Sequence, residues 1–346
     1  MVKVGVIGCG KIAITRHLPE YASNPDAEIA GVYDFNLERA KEVAEQYQTR
    51  AYESVEEMLN DPQIEAVSVC VRNSDHSKVT VDALRAGKHV LCEKPMAVSL
   101  DECKEMVKIA EKTGKKLMVG HNQRFNRTHM KAKELIQNGA IGKVLSFKTT
   151  FGHGGPETWT VDKNNVWFFD KRFSAFGAMA DLGVHKTDLL IFLLETKVKK
   201  VTAVLKTLDK KDAEGNLINV DDNAICIYEM ENGAVGTMTA SWTYYGEEDN
   251  STIIYGSEGI LKIYDDPNYS IVRIGKDGTK IYYELDKMQT NDNQTKSGII
   301  DSWVAAIKND TVPEVNGKDA LDAMKAIFAA LESSESGQTV EITEED

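Results

Sequence analysis

The stretch Val4-Gly5-Val6-Ile7-Gly8-Cys9-Gly10-Lys11-Ile12-Ala13 decides the fold: a short apolar run breaks into G-x-G-x-x-A and passes straight into a helical pattern. A first glycine after a strand permits a tight turn. A second lets the backbone approach a pyrophosphate, and a small third residue lets helix and strand pack. The helix N-terminus that follows stabilises phosphate charge. On its own the fingerprint also fits a bare strand-to-helix turn. The next strand-like run, residues 27–34, ends in Asp34, where an acid accepts hydrogen bonds from the ribose hydroxyls of an adenosine. Gly8, Gly10, Lys11, Ile12 and Asp34 are therefore candidate dinucleotide-binding residues. Asp34 repels a 2′-phosphate, so NAD is favoured over NADP, with Arg39 on the following helix as the feature that speaks for NADP.

Outward from this turn, strands and helices alternate. Strands are predicted at 4–7, 27–34, 65–71, 88–92 and 116–120, and helices at 11–23, 37–47, 77–86 and from Ser99 to about Gly114. Ser54-Val55-Glu56-Glu57 and Ser99-Leu100-Asp101-Glu102 have the capping-box form that starts a helix. Residues 65–71 are apolar without alternation, which suits a sheet covered on both faces. Such alternation implies a parallel sheet with right-handed crossovers.

The period changes after His121. A helix at 128–138 precedes strands at 143–151, 198–208, 223–230, 234–241, 251–255, 260–263 and 280–285. Turns such as Glu231-Asn232-Gly233 and Lys276-Asp277-Gly278 join them, which implies an antiparallel sheet. Helices are predicted at 179–194, 299–308 and 319–333, and the acidic end at 343–346 is expected to fray. A chain of 346 residues predicts about two domains, with a boundary after residue 122: 1–122 for the nucleotide and 123–346 for the substrate.

Composition narrows the partners. Forty-one basic against fifty-four acidic residues give a net charge of −13, a surface that repels phosphate backbones and anionic lipid. Neither nucleic acid nor membrane is expected as a partner. The five cysteines, Cys9, Cys70, Cys92, Cys103 and Cys226, are odd in number and never spaced C-x-x-C, so neither a disulfide framework nor a metal site is expected. The N-terminus lacks the basic and long apolar regions of a signal peptide, and a reduced, cytoplasmic compartment is expected.

Two further motifs carry chemistry. Glu93-Lys94-Pro95 follows the strand at 88–92, and in an open parallel sheet ligands sit beyond the carboxyl ends of strands. Lys94 thus points into the cofactor crevice or is a solvated lysine beside a turn proline. Asp181 and His185 are four apart and share a helix face, so an acid and an imidazole can steer a proton together. The plainer alternative is a helix-terminal acid beside a hydrogen-bonded histidine.

The order GxGxxA, Asp34, Glu93-Lys94-Pro95, Asp181-x-x-x-His185 resembles the glucose–fructose oxidoreductase, inositol dehydrogenase and rhizopine-catabolism family (Gfo/Idh/MocA). Gly120-His121-Asn122-Gln123-Arg124-Phe125 is similar to the family segment that closes the cofactor domain, and Trp167-Phe168-Phe169-Asp170 to the start of its loop before Asp181. The resemblance implies an α/β protein: an N-terminal Rossmann domain plus a C-terminal α/β domain with a large open, mostly antiparallel sheet. It implies an NAD(P)-dependent dehydrogenase of a sugar, cyclitol or glycoside, built as a homodimer or homotetramer through that sheet. Lys94, Asp181 and His185 would be catalytic. Cys70, Asn73, His76, Glu93 and Lys94 would line the cofactor, with Asn122 and Arg124 at its nicotinamide end. His185 would take the hydroxyl proton, Lys94 would steady the same oxygen, and Asp181 would hold a neighbouring hydroxyl. Two departures bear on substrate shape: Val71-Arg72-Asn73 replaces a proline pattern, and Ser174-Ala175-Phe176-Gly177 stands where the family more often has consecutive glycines.

The segment 151–159 mixes glycine turns with His153, Glu157 and Trp159. Aromatic planes stack on sugar rings and polar neighbours read hydroxyls, so these residues, with Trp167 and Arg172, are candidate substrate contacts. A structured loop packed on its own domain is the alternative. Two other functions stay open: transient oxidation by a retained NAD that activates hydrolysis or elimination of a glycoside, and a non-catalytic NAD-binding regulator.

Overall fold

The structure is a computed structural model that describes residues 1–161, 166–287 and 296–343. It forms two compact units. The first comprises 1–122, 159–161 and 296–321; the second comprises 123–158, 166–287 and 322–343. The first unit's leading segment ends at Asn122, but the chain returns to that unit late, so residues 296–321 do not belong with the substrate half as the 123–346 expectation had them.

In chain order the first stretch holds β1 (Val2–Ile7), α1 (Leu18–Ser23), β2 (Ala27–Tyr33), α2 (Leu37–Gln46), β3 (Arg50–Ala51), α3 (Val55–Asn60), β4 (Ala66–Val69), α4 (Asn73–Arg85), β5 (His89–Cys92), α5 (Leu100–Thr113) and β6 (Leu117–Val119). The strands form one parallel sheet in the order β3-β2-β1-β4-β5-β6. The order reverses direction between β1 and β4, the switch point at which such sheets take ligands. Val4, Val6, Val67, Val69, Val90 and Leu91 are fully buried, as a sheet covered on both faces requires. Ser54 and Ser99 cap α3 and α5 by accepting the Glu57 and Glu102 amides.

Two local differences from the sequence reading have physical causes. The first helix carries a wide π turn at Ala13–His17 before α1. Pro19 has no N–H to return to the preceding turn, and the looser turn accommodates it. Helix α4 starts at Asn73 rather than at 77, so Asn73 and His76 lie in its first turn and not in a loop.

The second unit begins with α6 (Arg127–Gln137), β7 (Val144–Gly152), α7 (Lys171–Ser174) and α8 (Val184–Leu194). There follow β8 (Val198–Lys206), β9 (Asn223–Met230), β10 (Val235–Ser241), β11 (Thr252–Gly256), β12 (Gly259–Ile263), β13 (Ile271–Gly275) and β14 (Lys280–Tyr283). Helices α9 (Ile299–Lys308) and α10 (Gly317–Ser336) and the short β15 (Val340–Glu341) complete the described chain. Of the acidic tail, 344–346 lie outside the described residues.

Among the described residues the second sheet has nine strands in the order β14-β13-β12-β11-β7-β10-β9-β8-β15. Its pairs are antiparallel except β7–β10, which is parallel because the chain leaves β7 through the 153–194 segment instead of a hairpin. A second π turn, Met179–Gly183, leads into α8. A Cβ on Gly183 would meet the Met179 sulfur at 2.7 Å, so a larger residue there would make that buried side chain shift.

Candidate functional site

In the first unit the G-x-G-x-x-A turn has the form its chemistry needs. Gly8 sits at φ +98°, and a Cβ there would lie 2.5 Å from the Cys70 carbonyl oxygen, so both backbone and space demand glycine. Gly10 differs: a Cβ on it would meet no protein atom within 4 Å. Among the described residues nothing requires that glycine, and a dinucleotide laid against the backbone would. Lys11 and Ile12 form the first helical turn, whose amides have no acceptor further back in the helix. Asp34 stands at the end of β2, where its carboxylate accepts the amides of Cys9 and Asn36 at 2.8 and 2.9 Å. Arg39 reaches the same carboxylate at 3.6 Å. Beside it Phe35 is 76% exposed, with the Arg72 guanidinium 5.9 Å from its ring centre.

Glu93 and His76 turn inward and brace Lys94. His17 donates to the Glu93 carboxylate at 2.9 Å, Arg16 lies 3.4 Å from it, and the Lys94 amide donates to its other oxygen at 3.1 Å. Burial pushes the Glu93 carboxyl up, but the His17 hydrogen bond and the Arg16, His17 and Lys94 charges outweigh it and hold it at about 2. A Cβ on Gly120 would collide with this carboxylate at 2.9 Å. His76 is buried with its ring nitrogens 2.7 Å from the Pro95 carbonyl oxygen and 3.2 Å from that of Val71, tying the loop after β4 to the Lys94–Pro95 turn. Cys70 and Asn73 are buried at the same end of the sheet. The Asn122 side-chain oxygen is buried without a hydrogen-bond partner among the described residues.

In the second unit Asp181 and His185 lie one helical turn apart and are only 6% and 8% exposed. The Trp242 indole N–H donates to Asp181 Oδ2 at 3.1 Å, and the Phe151 ring lies 5.9 Å from that of His185. Arg124, which the resemblance places at the nicotinamide end, is held by an ion pair. Its Nε and a terminal nitrogen grip both oxygens of buried Asp188 at 2.9 and 2.6 Å, which ties the turn at Arg124 to α8 within the second unit.

The candidate substrate residues separate. His153 Nδ1 accepts the Gly155 amide at 2.9 Å, and its ring lies edge-on to Phe151. Glu157 pairs with buried Lys210. Trp159 groups with the first unit, while Trp167 stacks on Phe168 at 3.8 Å in the second. Arg172 is exposed and folds back on Asp170.

The family model for oxidoreductases with an NAD-binding Rossmann fold matches residues 2–121, and the GFO/IDH/MocA C-terminal domain model matches 129–262. Together they take in well over half of the sequence. The chain belongs to the GFO/IDH/MocA oxidoreductase family. Myo-inositol 2-dehydrogenase of Thermotoga maritima is 26% identical over 348 residues, 99% of each chain. Glucose-6-phosphate 3-dehydrogenase of Bacillus subtilis is 33% identical over 239 residues, 67% of this chain and 65% of its own. Among solved structures, levoglucosan dehydrogenase in complex with NADH superposes with a TM-score of 0.86 at 25% identity, covering 99% of both chains.

The oxidoreductase's own residues fit NAD. The open surface at Gly10, the first amides of the following helix, the Asp34 carboxylate and the orphaned Asn122 oxygen supply the space, the positive end and the acceptors that a dinucleotide uses. Sequence reasoning missed the partners that hold these residues: Arg16 and His17 in the first unit, and Asp188, Lys210 and Trp242, the holder of Asp181, in the second. No local motif marks them, because each acts on a residue far along the chain.

Proposed function

We propose that this oxidoreductase oxidises a secondary hydroxyl of a sugar, cyclitol or glycoside. The observation that carries the reading is the Asp181–His185 pair: an acid and an imidazole on one helix face, the acid fixed by Trp242. His185 accepts the hydroxyl proton. Asp181 holds a neighbouring hydroxyl. Lys94, braced from behind by Glu93 and His76, stabilises negative charge on the substrate oxygen. NAD, when bound, supplies the redox chemistry. The names of the inositol, glucose 6-phosphate and levoglucosan dehydrogenases support the substrate class. Arg124 serves by holding its segment on Asp188, and Glu157 and His153 shape the substrate loop.

The test is absorbance at 340 nm with NAD and a panel of myo-inositol, levoglucosan, methyl glucosides and glucose 6-phosphate. A rise with one compound, lost in Lys94→Ala and His185→Ala with NAD binding retained, is expected. Turnover confined to non-carbohydrate alcohols would overturn the reading.

We also propose a homo-oligomer. One face of the nine-stranded sheet exposes Val204 opposite Ile225, with Ile227 two residues along and Val235 diagonal to it, an apolar patch that a second copy can cover, and Tyr255 lies beyond Ser146 on the same face. Light scattering at micromolar concentration should show more than one copy per particle, and a monomer would refute it. Five buried, unbridged cysteines support a reducing cytoplasmic setting.

A further inference from the structure

Asp221 and Asp222 are adjacent at the entry to β9, and each captures a run of three consecutive residues. Asp221 takes 177–179: its carboxylate accepts the Gly177 and Met179 amides at 2.8 Å each, and its carbonyl accepts the Ala178 amide at 2.8 Å. Gly177 is pressed so closely that a Cβ would fall 1.7 Å from the Asp221 carbonyl oxygen. Asp222 takes 208–210: its carboxylate accepts the Leu208, Asp209 and Lys210 amides at 2.8 Å each. Concavities of successive backbone N–H groups are matched to anions, and here the anions are the protein's own.

The two runs lead to different parts of the site. Residues 177–179 start the helix that carries Asp181 and His185. The Asp222 carbonyl also accepts the amide of Trp242, whose indole holds Asp181. The 208–210 run presents Lys210, whose ammonium donates to the Gly154 carbonyl at 2.6 Å and pairs with Glu157 across the loop that carries His153. Lys210 is buried, with its ammonium 4.8 Å from the Tyr245 ring centre.

We propose that Asp221 and Asp222 are positioning residues that divide the site's geometry between them: Asp221 sets the acid–imidazole pair, and Asp222, through Lys210, sets the substrate loop. The inference rests on the reading of Asp181 and His185 given above. It accounts for two acids side by side at one strand entry. A single carboxylate cannot serve both runs, and both must be held for the reacting groups and the recognition loop to keep register.

The division makes a prediction that a general loss of structure does not. Asp221→Asn retains shape but not two equivalent acceptors, so kcat should fall at least tenfold with KM within threefold of wild type. The solvent deuterium isotope effect on kcat should rise as proton transfer becomes limiting. Lys210→Met should do the reverse, raising KM at least fivefold with kcat within threefold. Both are measured with NAD and the panel compound that the wild type turns over fastest, alongside Asp181→Asn. Hydrogen–deuterium exchange should speed up at 177–183 in Asp221→Asn and at 153–158 in Lys210→Met, and this readout needs no substrate. If Asp221→Asn does not fold, Asp221→Ser, which keeps a short acceptor, replaces it. Parallel changes of kcat and KM in both variants, or unchanged kcat in Asp221→Asn while Asp181→Asn is inactive, overturn the positioning proposal alone. Full activity in Asp181→Asn overturns the site reading and this proposal with it.

Discussion

Arg124 and Asp188 face each other as a two-point ion pair, Nε to Oδ2 at 2.9 Å and a terminal nitrogen to Oδ1 at 2.6 Å, both side chains buried. Removing one partner strands the other charge in the interior, which costs about 3–5 kcal/mol. Arg124→Gln and Asp188→Asn should therefore lower unfolding free energy by similar amounts in urea titrations. The double replacement Arg124→Met/Asp188→Leu should be milder than the sum. A variant that kept full stability yet lost NAD affinity would return Arg124 to the cofactor.

Glu93 should make stability depend on acid. Its carboxyl is held at about 2 against an ordinary 4.5, so its stabilisation is complete above 4.5 and is lost as pH falls toward 2. At 1.36 kcal/mol per unit, the shift corresponds to about 3 kcal/mol. Glu93→Gln should be less stable than wild type by about that amount at pH 7, and the gap should narrow below pH 4.5. A gap constant from pH 7 to 3 would show that the carboxylate charge is not what matters.

Ala175 sits at φ +64°, ψ −47°, where a side chain is strained and glycine is not. It lies in Ser174-Ala175-Phe176-Gly177, the stretch that departs from the glycine pattern the resemblance implies. Ala175→Gly should raise unfolding free energy by about 1 kcal/mol, read as an upward shift in Tm. A fall in Tm would mean that the methyl group packs well enough to offset the strain.

Asp34→Ala should weaken NAD binding about tenfold to a hundredfold, the worth of one or two hydrogen bonds to a charged group. Calorimetric titration reads it directly. The variant also loses the acceptor for the Cys9 amide, so the glycine turn itself should loosen. An unchanged dissociation constant would remove Asp34 from the ribose.

How much could be read from the sequence follows how local each signal is. The glycine turn, the two serine caps and the strand–helix alternation are encoded within a few residues, and they stand where the reading put them. Strand β13 is not legible because Ile271-Val272-Arg273-Ile274 alternates too weakly to separate from its flanking turns. No period in the sequence marks the π turns, the first of which accommodates Pro19. The braces were not visible either. Glu93 is held by His17 from far upstream, and Asp221 and Asp222 act on backbone amides, which every residue has and no sequence pattern marks.

The late return of residues 296–321 to the first unit has a consequence for synthesis. Within that unit α9 packs on α1 and β1, and Ser297 donates its amide and hydroxyl to Glu20 at 2.8 and 3.0 Å. When a ribosome has released residue 122, every strand of the parallel sheet has emerged but a wall of its core has not. The nascent sheet must wait, with Tyr21 and its neighbours uncovered, while most of the second unit is translated. Growing chains halted between these points are where chaperone capture should concentrate, because exposed apolar surface is what such factors bind.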